Sequence, residues 1–401
     1  MKNRWKLALC VLGMACMLGA CADKSEETAD NTQTESTEQI SEKEKEENAK
    51  ELAIQTKLDM IEPSAYGNAK GLDLEPGSYI SVLGKGANGE YWEQVEMGVI
   101  QAAKDINAEL GYEGSDKVKV TFSGPEVKDD VDEQVNILDE ELARYPVALA
   151  MSIADVQACE VQFDLATESG IPIVAFDSGS EYQGLEATVT TDNAKAAKLT
   201  ADKLGELLEG SGEVIMFVHD SKSMAAQDRE NAFKKEIEKE YPDIEIVEVF
   251  HMDDTEEIRT LLADEKNVES GTAGTENAVT KDDITTEEVV DYILKQNPTV
   301  KGCFATNGDS MELAVDGLER QEMTEVSVVG FDANDYEIEA LKEGKIDGLL
   351  VQNPFGMGYA SVIAAARAAL SLGNEAFVNT GYTWVTLDNL ETEEIQSILY
   401  F

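Results

Sequence analysis

Short apolar runs alternate with longer stretches of helical period along this chain, and the alternation is laid down twice. Strand candidates are Tyr79–Leu83, Val118–Phe122, Val147–Met151 and Ile171–Phe176. All but the last lead into segments whose apolar residues recur at helical spacing, such as Tyr91–Leu110 and Val131–Ala143. After a strand near Ala187–Thr191 the pattern restarts with helix Ala194–Leu208, strand Val214–Val218, helix Ala225–Glu240 and strand Ile244–Phe250. It continues through Val300–Ala305, Val326–Phe331 and Ile346–Val351. A strand that is apolar along its whole length must be covered on both faces, so this repetition predicts an α/β chain of two similar lobes, each a parallel sheet flanked by helices.

What precedes the first strand has a different character. Lys2, Arg4 and Lys6 stand before an apolar run from Leu7 to Leu18, which is too short to span a bilayer about 30 Å thick. The run ends in Leu18-Gly19-Ala20-Cys21, which resembles a bacterial lipobox. Residues 1–21 are therefore read as a lipoprotein signal peptide with Cys21 lipidated; an ordinary cleaved signal with an incidental cysteine is the alternative. Residues 22–62 hold 13 acidic and 5 basic side chains and no glycine. Too little apolar surface is available there to offset chain entropy, so residues 22–78 are expected to form a flexible acidic stalk, with room for a helix near Lys43–Leu58. Within the second lobe, residues 253–283 break the rhythm: polar and glycine-containing, with only Thr255–Leu262 helical in pattern, they are read as an insertion forming a mobile flap at the cleft rim.

Charge removes several partners. With 81 Asp plus Glu against 32 Lys plus Arg, the formal charge is −49. Such a surface repels phosphate backbones and anionic head groups, so no nucleic acid is expected and the lipid anchor is the only expected membrane contact. The ligand is expected to be neutral or cationic. Three of the five cysteines fall within the first 21 residues, which rules out a disulfide scaffold. Gly84-Lys85-Gly86-Ala87-Asn88-Gly89 spells G-x-G-x-x-G after a strand, but Glu90 at the helix start opposes pyrophosphate, and no acidic residue closes a second strand at the required spacing. The loop reads instead as a flexible connection at a cleft. His219 and His251 end predicted strands with no third soft ligand nearby in sequence, and neither a calcium loop nor a G-x-S-x-G elbow occurs. No cofactor, no metal and no catalytic residue is expected.

In open α/β sheets ligands bind beyond the carboxyl ends of the strands. Those ends carry Asn88 to Trp92, Asp177, Asn307, Asp332 and Gln352. Carboxylates and amides suit the hydroxyls of a neutral polyol, and the Tyr91-Trp92 pair could pack on ring C–H groups. For any one Asp or Asn at a strand end, taken alone, the alternative is a helix N-cap.

The sequence Ile173-Val174-Ala175-Phe176-Asp177, the run Thr191-Asp192-Asn193, Arg229 followed by Phe233, Phe304-Ala305-Thr306-Asn307, Val328-Val329-Gly330-Phe331-Asp332 and Gln352-Asn353-Pro354 together resemble the ribose/galactose-type periplasmic sugar-binding proteins. These are the substrate-binding components of sugar ABC transporters, with the type I periplasmic binding protein fold. The resemblance, over about Tyr79 to Leu387, implies two lobes joined by a three-stranded hinge with crossings near Thr190, Gln352 and Val385. Lobe one would be 79–190 plus 353–385, and lobe two 191–352 plus 386–401. It also implies an aromatic sandwich of Tyr91 and Trp92, hydroxyl binding by Asp177, and a polar set completed by Arg229, Asn307, Asp332 and Gln352. If Trp92 is only a platform, its removal should leave the unliganded protein nearly as stable; if it is core, it should not. The chain departs from the family pattern at Gly89-Glu90, where Asn-Pro is common, and at Ser178, where Arg is. The aromatic expected after Phe250 falls in Met252-Asp253-Asp254, which makes Asp253 the expected contact from the insertion. The implied protein is a monomer, anchored on the outer face of the bacterial cytoplasmic membrane, that hands its sugar to an ABC permease. A nucleoside-binding lipoprotein of the same fold, and a sugar sensor feeding a receptor, remain alternatives.

Overall fold

The computed structural model describes residues 47–155 and 157–400. Residues 1–21, read above as a leader ending in Cys21, and the acidic run of residues 22–46 lie outside the described residues. A compact unit begins at Glu51, within helix α1, which covers residues 47–59. Strands β1 (Tyr79–Leu83), β2 (Lys119–Ser123), β3 (Ala148–Met151), β4 (Ile173–Phe176) and β5 (Leu185–Thr190) follow. Helices α2 (Glu90–Leu110), α3 (Val131–Leu142) and α4 (Glu160–Glu168) connect the first four of them. Helix α5 (Asn193–Leu207) then leads into β6 (Ser211–Val218), α6 (Met224–Glu240), β7 (Asp243–His251), α7 (Glu256–Ser270) and α8 (Thr286–Gln296). Next come β8 (Val300–Ala305), α9 (Gly308–Arg320), β9 (Ser327–Phe331), α10 (Asp335–Lys342) and β10 (Gly348–Gln352). Helix α11 (Pro354–Ala369), β11 (Phe377–Asn379), β12 (Tyr382–Val385) and α12 (Glu393–Gln396) complete the chain.

The first sheet runs β11-β5-β4-β3-β1-β2 and is parallel throughout. The second, β12-β10-β9-β8-β6-β7, repeats that order strand for strand, with β12 alone antiparallel. Central strands are buried along their length, as in β3, β4 and β10, whereas the edge strand β2 begins exposed. Parallel pairing requires a crossover between neighbours, and the helices that supply it cover both faces, which is why these strands tolerate unbroken apolar runs.

The chain passes between lobes three times: between β5 and α5, between β10 and α11, and between β11 and β12. The third passage lies at Thr380-Gly381 and not near Val385, because β12 pairs with β10 and so belongs to the second lobe. Gly381, at φ 82°, supplies the left-handed turn that the two-residue link needs. Behind the hinge, α2 and α11 meet backbone to backbone: a Cβ on Gly98 would lie 2.0 Å from the Phe355 carbonyl oxygen, and one on Gly358 2.0 Å from that of Val95.

Two expectations are overturned. Residues 58–78 are not stalk: Leu58, Ile61, Tyr66, Leu72 and Leu74 are buried in the first-lobe core with α2 and α11. Glu62 and Asn379 exchange backbone hydrogen bonds at 2.8 and 2.9 Å, and the Asn353 amide donates to the Lys57 carbonyl at 2.7 Å, so this segment is fastened to two of the three hinge crossings. The polar average of the segment concealed a few well-spaced apolar side chains that supply its packing energy. The insertion is likewise no flap. Helix α7 reaches Ser270, and the polar stretch after it is held by Asn267, whose side chain bonds both the N–H and the carbonyl of Val279 at 2.7 and 2.8 Å. Ile61→Ala is expected to cost about 2–5 kcal/mol in urea unfolding, as deletion of a buried side chain does; a change within about 0.5 kcal/mol would return the segment to the solvent-exposed class.

Candidate functional site

Both sheets present the carboxyl ends of their strands to one cleft of about 320 Å³, a volume at the lower end for small-molecule sites and suited to a single ring. Two aspartates define it. Asp177 follows β4 and Asp332 follows β9, which are equivalent strands of the two sheets. Both adopt left-handed backbone, φ 56° and 86°, that turns the chain at the strand end. Their backbone N–H groups donate to equivalent neighbours, Val189 of β5 at 2.9 Å and Leu350 of β10 at 3.1 Å. Neither serves as the N-cap of a helix. The Asp177 carboxylate accepts from the Tyr91 hydroxyl and from Ser152, both at 2.7 Å. That of Asp332 accepts from the Gln352 amide at 2.6 Å and the Gly308 N–H at 3.0 Å.

Arg229 on α6 is buried, yet all its hydrogen bonds go to neutral acceptors: Asn193 Oδ1 at 2.8 Å, the Thr306 carbonyl at 2.6 Å and Gln352 Oε1 at 2.8 Å. Its guanidinium carbon lies 4.1 Å from the Phe331 ring centroid. A full positive charge thus remains available to the cleft, fixed by three elements. Asn307 uses its side-chain oxygen to cap α9 through Ser310 N–H, so it serves as both N-cap and cleft residue. Asn88 lies exposed at the rim.

Trp92 lines the cleft but is only 3% exposed. It stacks on Phe122 at 6.3 Å and meets Phe176 edge-on at 6.5 Å. Gly84 and Gly86 make room for this ring, since a Cβ on them would sit 3.0 Å from its Cε3 and 2.9 Å from its nitrogen, while Gly89 has open space around it and is fixed as glycine by its φ of 100°. That accounts for the G-x-G-x-x-G spelling without any phosphate.

Eight of the nine ligand contacts expected from sequence therefore meet in one cleft. The ninth, Asp253, does not. It is exposed after the edge strand β7, and its carboxylate receives the Ser221 N–H and hydroxyl, both at 2.9 Å; no residue of 253–283 lines the cleft. An edge strand delivers its end to the side of the lobe, away from the β8, β9 and β10 ends that face the ligand space.

Sequence reasoning missed several lining residues. Lys85, in the loop after β1, is buried with its ammonium 3.7 Å from Asp129 and 3.9 Å from Asp177. Burial opposes its charge, but Asp129, Asp177 and Asp220 outweigh that and raise its pKa above the usual lysine value. Lys128, after the edge strand β2, pairs with Asp309 across the cleft, and the Glu90 carboxylate accepts the Asp335 N–H at 2.8 Å, so two contacts join the lobe rims. His219 bonds Thr306 Oγ1 through Nδ1 at 2.6 Å; burial, opposed by the Asp220 carboxylate and aided by Lys85, Arg229 and Lys128, pushes its pKa well below the usual histidine value. Thr306 is fully buried, so this pair presents no nucleophile to the cleft. Among the described residues no three His, Cys, Asp or Glu side chains gather as a metal site. Carboxylates, amides, a lysine and an arginine around aromatic faces can hold a small polyhydroxylated ring from both sides. Trp92→Ala is expected to cost the unliganded protein about 3–5 kcal/mol in urea unfolding, as for a buried aromatic; a loss below about 1 kcal/mol would make it a pure binding platform.

Comparison with known proteins points the same way. A profile of the periplasmic binding protein domain matches residues 80–375. The D-apiose import binding protein of Actinobacillus succinogenes is 24% identical over 268 residues, covering 66% of this chain and 74% of that protein. The ribose import binding protein of Bacillus subtilis is 21% identical over 305 residues, covering 76% and 83%. Among solved structures, a carbohydrate transporter solute-binding protein from Agrobacterium radiobacter in complex with D-arabinose superposes with a TM-score of 0.65 at 25% identity, over 80% of this chain and 98% of that one.

Proposed function

The chain belongs to the periplasmic binding protein family, and on that premise we propose that it is an extracytoplasmic lipoprotein that captures a small neutral sugar between its lobes and delivers it to an ABC permease. One observation carries the reading: Asp177 and Asp332 stand at equivalent strand ends of opposite lobes, with aromatic rings beside them, around a space sized for one ring. Relatives named for D-apiose and ribose, and a structural neighbour holding D-arabinose, favour a monosaccharide over a longer saccharide. A lipidated Cys21 would hold the protein on the outer face of the cytoplasmic membrane as a monomer, without a membrane-spanning helix.

The mechanism is a hinged clamp. A ligand that hydrogen-bonds Asp177 and Lys85 from one lobe and Asp332, Asn307 and Arg229 from the other binds the closed arrangement better than the open one, and that difference drives closure. The rim contacts Lys128 with Asp309 and Glu90 with the Asp335 N–H close over the bound ring and exclude water. The permease then recognises the closed form. Nothing in the clamp moves a proton or breaks a bond.

Thermal unfolding against a panel of D-apiose, D-ribose, D-arabinose, D-galactose, adenosine and uridine tests the reading. A ligand present at 100 times its dissociation constant stabilises the protein by about 2.7 kcal/mol, which raises the melting temperature by several degrees. At least one monosaccharide is expected to do so while the nucleosides do not. A shift with adenosine or uridine alone would replace the sugar reading with the nucleoside one.

A further inference from the structure

The chain continues beyond both the matched domain, which ends at residue 375, and the last sheet strand, β12. After β12 it turns through residues 386–392 and α12 and buries Leu390, Ile395, Ile398 and Leu399 in the second-lobe core. That packing sets Tyr400, itself only 3% exposed, into the cleft wall. We infer that Tyr400 is a ligand-contacting, specificity-determining residue, and that the segment carrying it forms part of the binding site; this deepens the sugar-binding reading and rests on it.

The placement is built from both lobes. The Tyr400 carbonyl accepts from the Gln94 amide of α2 at 3.0 Å, and the Leu399 carbonyl from the Lys57 ammonium at 3.4 Å. Gln94 is itself buried one turn beyond Tyr91, so the first lobe fixes the backbone of this residue. The side chain faces the second lobe, where its hydroxyl donates to Asp332 Oδ1 at 3.4 Å. Its ring meets that of Tyr91 edge-on, with centroids 5.9 Å apart. A mirrored arrangement results: a tyrosine hydroxyl beside each of the two cleft aspartates, with the two rings in contact between them.

The two hydroxyls differ in how free they are. Tyr91 donates to Asp177 at 2.7 Å, a well-formed bond, whereas the Asp332 oxygen that Tyr400 approaches already accepts the Gln352 amide at 2.6 Å. The Tyr400 bond to its aspartate is the weaker, so a ligand oxygen replaces it at less cost than it would the Tyr91 bond. Burial, and then the Asp332 charge, raise its pKa well above the ordinary tyrosine value, which keeps it a donor. Its ring edge and hydroxyl fit a ligand that offers an acceptor hydroxyl beside a C–H surface, as a single sugar ring does.

Calorimetric titration tests the assignment, with the panel member giving the largest melting shift as probe. Tyr400→Phe removes the hydroxyl and keeps the ring; Tyr400→Leu removes the ring and keeps buried bulk if the smaller side chain leaves the fold intact. Tyr400→Leu is expected to weaken the probe at least tenfold. Tyr400→Phe is expected to weaken it about three- to tenfold, and for a sugar probe to leave the affinity for one of its monodeoxy analogues unchanged, which identifies the hydroxyl that Tyr400 meets. An unchanged probe affinity in Tyr400→Phe, or an equal loss for every deoxy analogue, would overturn the contact while leaving sugar binding standing. Should a nucleoside be the best probe, the sugar reading falls and Tyr400 is judged by the same losses toward that nucleoside. Should no panel member bind the wild-type protein, both readings fail.

Discussion

Two aspartates held in left-handed backbone organise this molecule's cleft. A non-glycine residue at positive φ costs about 1–3 kcal/mol, less for Asp than for most residues because its short polar side chain tolerates the region. The surrounding strands offset that cost at both sites in the same way, with a hydrogen bond from the aspartate N–H to the next strand, Val189 at Asp177 and Leu350 at Asp332. At Asp177 the carbonyl is held as well, by the Thr190 hydroxyl at 2.6 Å. The turn ends the strand and leaves the carboxylate beside the cleft; neither aspartate is a helix N-cap, although Asp332 also accepts the N–H of Gly308 at the start of α9. The same solution in both sheets makes the two lobes a complementary pair.

Six groups in and behind the cleft are positioned directly on those carboxylates. Tyr91, Ser152 and Lys85 surround Asp177; Gln352, Gly308 and Tyr400 surround Asp332. Gln352 matters twice, because it sits at a hinge crossing and relays Asp332 to Arg229 and to Thr191, which accompanies another crossing. The cleft groups are therefore wired to the residues at which the chain crosses between lobes. Segment 57–62 adds a brace from the first lobe to the crossings at Asn353 and Asn379. The hinge is thus braced by residues well outside the repeating βα units, and the proposed clamp would have to work against these contacts.

The βα rhythm made the architecture legible because central parallel strands must be apolar on both faces, and the sequence shows them so. Strand ends were legible for a related reason: Asp177, Asn307, Asp332 and Gln352 follow recognisable strands that occupy the middle of their sheets. The same rule failed at Asp253, since periodicity does not reveal that β7 lies at an edge. Lys128 was missed from the opposite side: it follows edge strand β2 and reaches the cleft only through a long side chain pairing across it. Lys85 stood in plain view within the glycine-rich loop, but the loop read only as a flexible connection, whereas Gly84 and Gly86 make room for Trp92 and Lys85 is buried beside Asp177. Leu58 to Leu74 were hidden by an acidic average, and Tyr400 belongs to no repeat, so no local pattern announced either.

The central claim is that one small ligand is held by both lobes at once through the paired aspartates. A crystal structure of the protein with its best-binding monosaccharide tests this most directly. The account predicts a single ring in the cleft, with different hydroxyls within about 3 Å of the Asp177 and Asp332 carboxylates. A ligand bonded to only one of the two lobes, or seated outside the cleft, would contradict it.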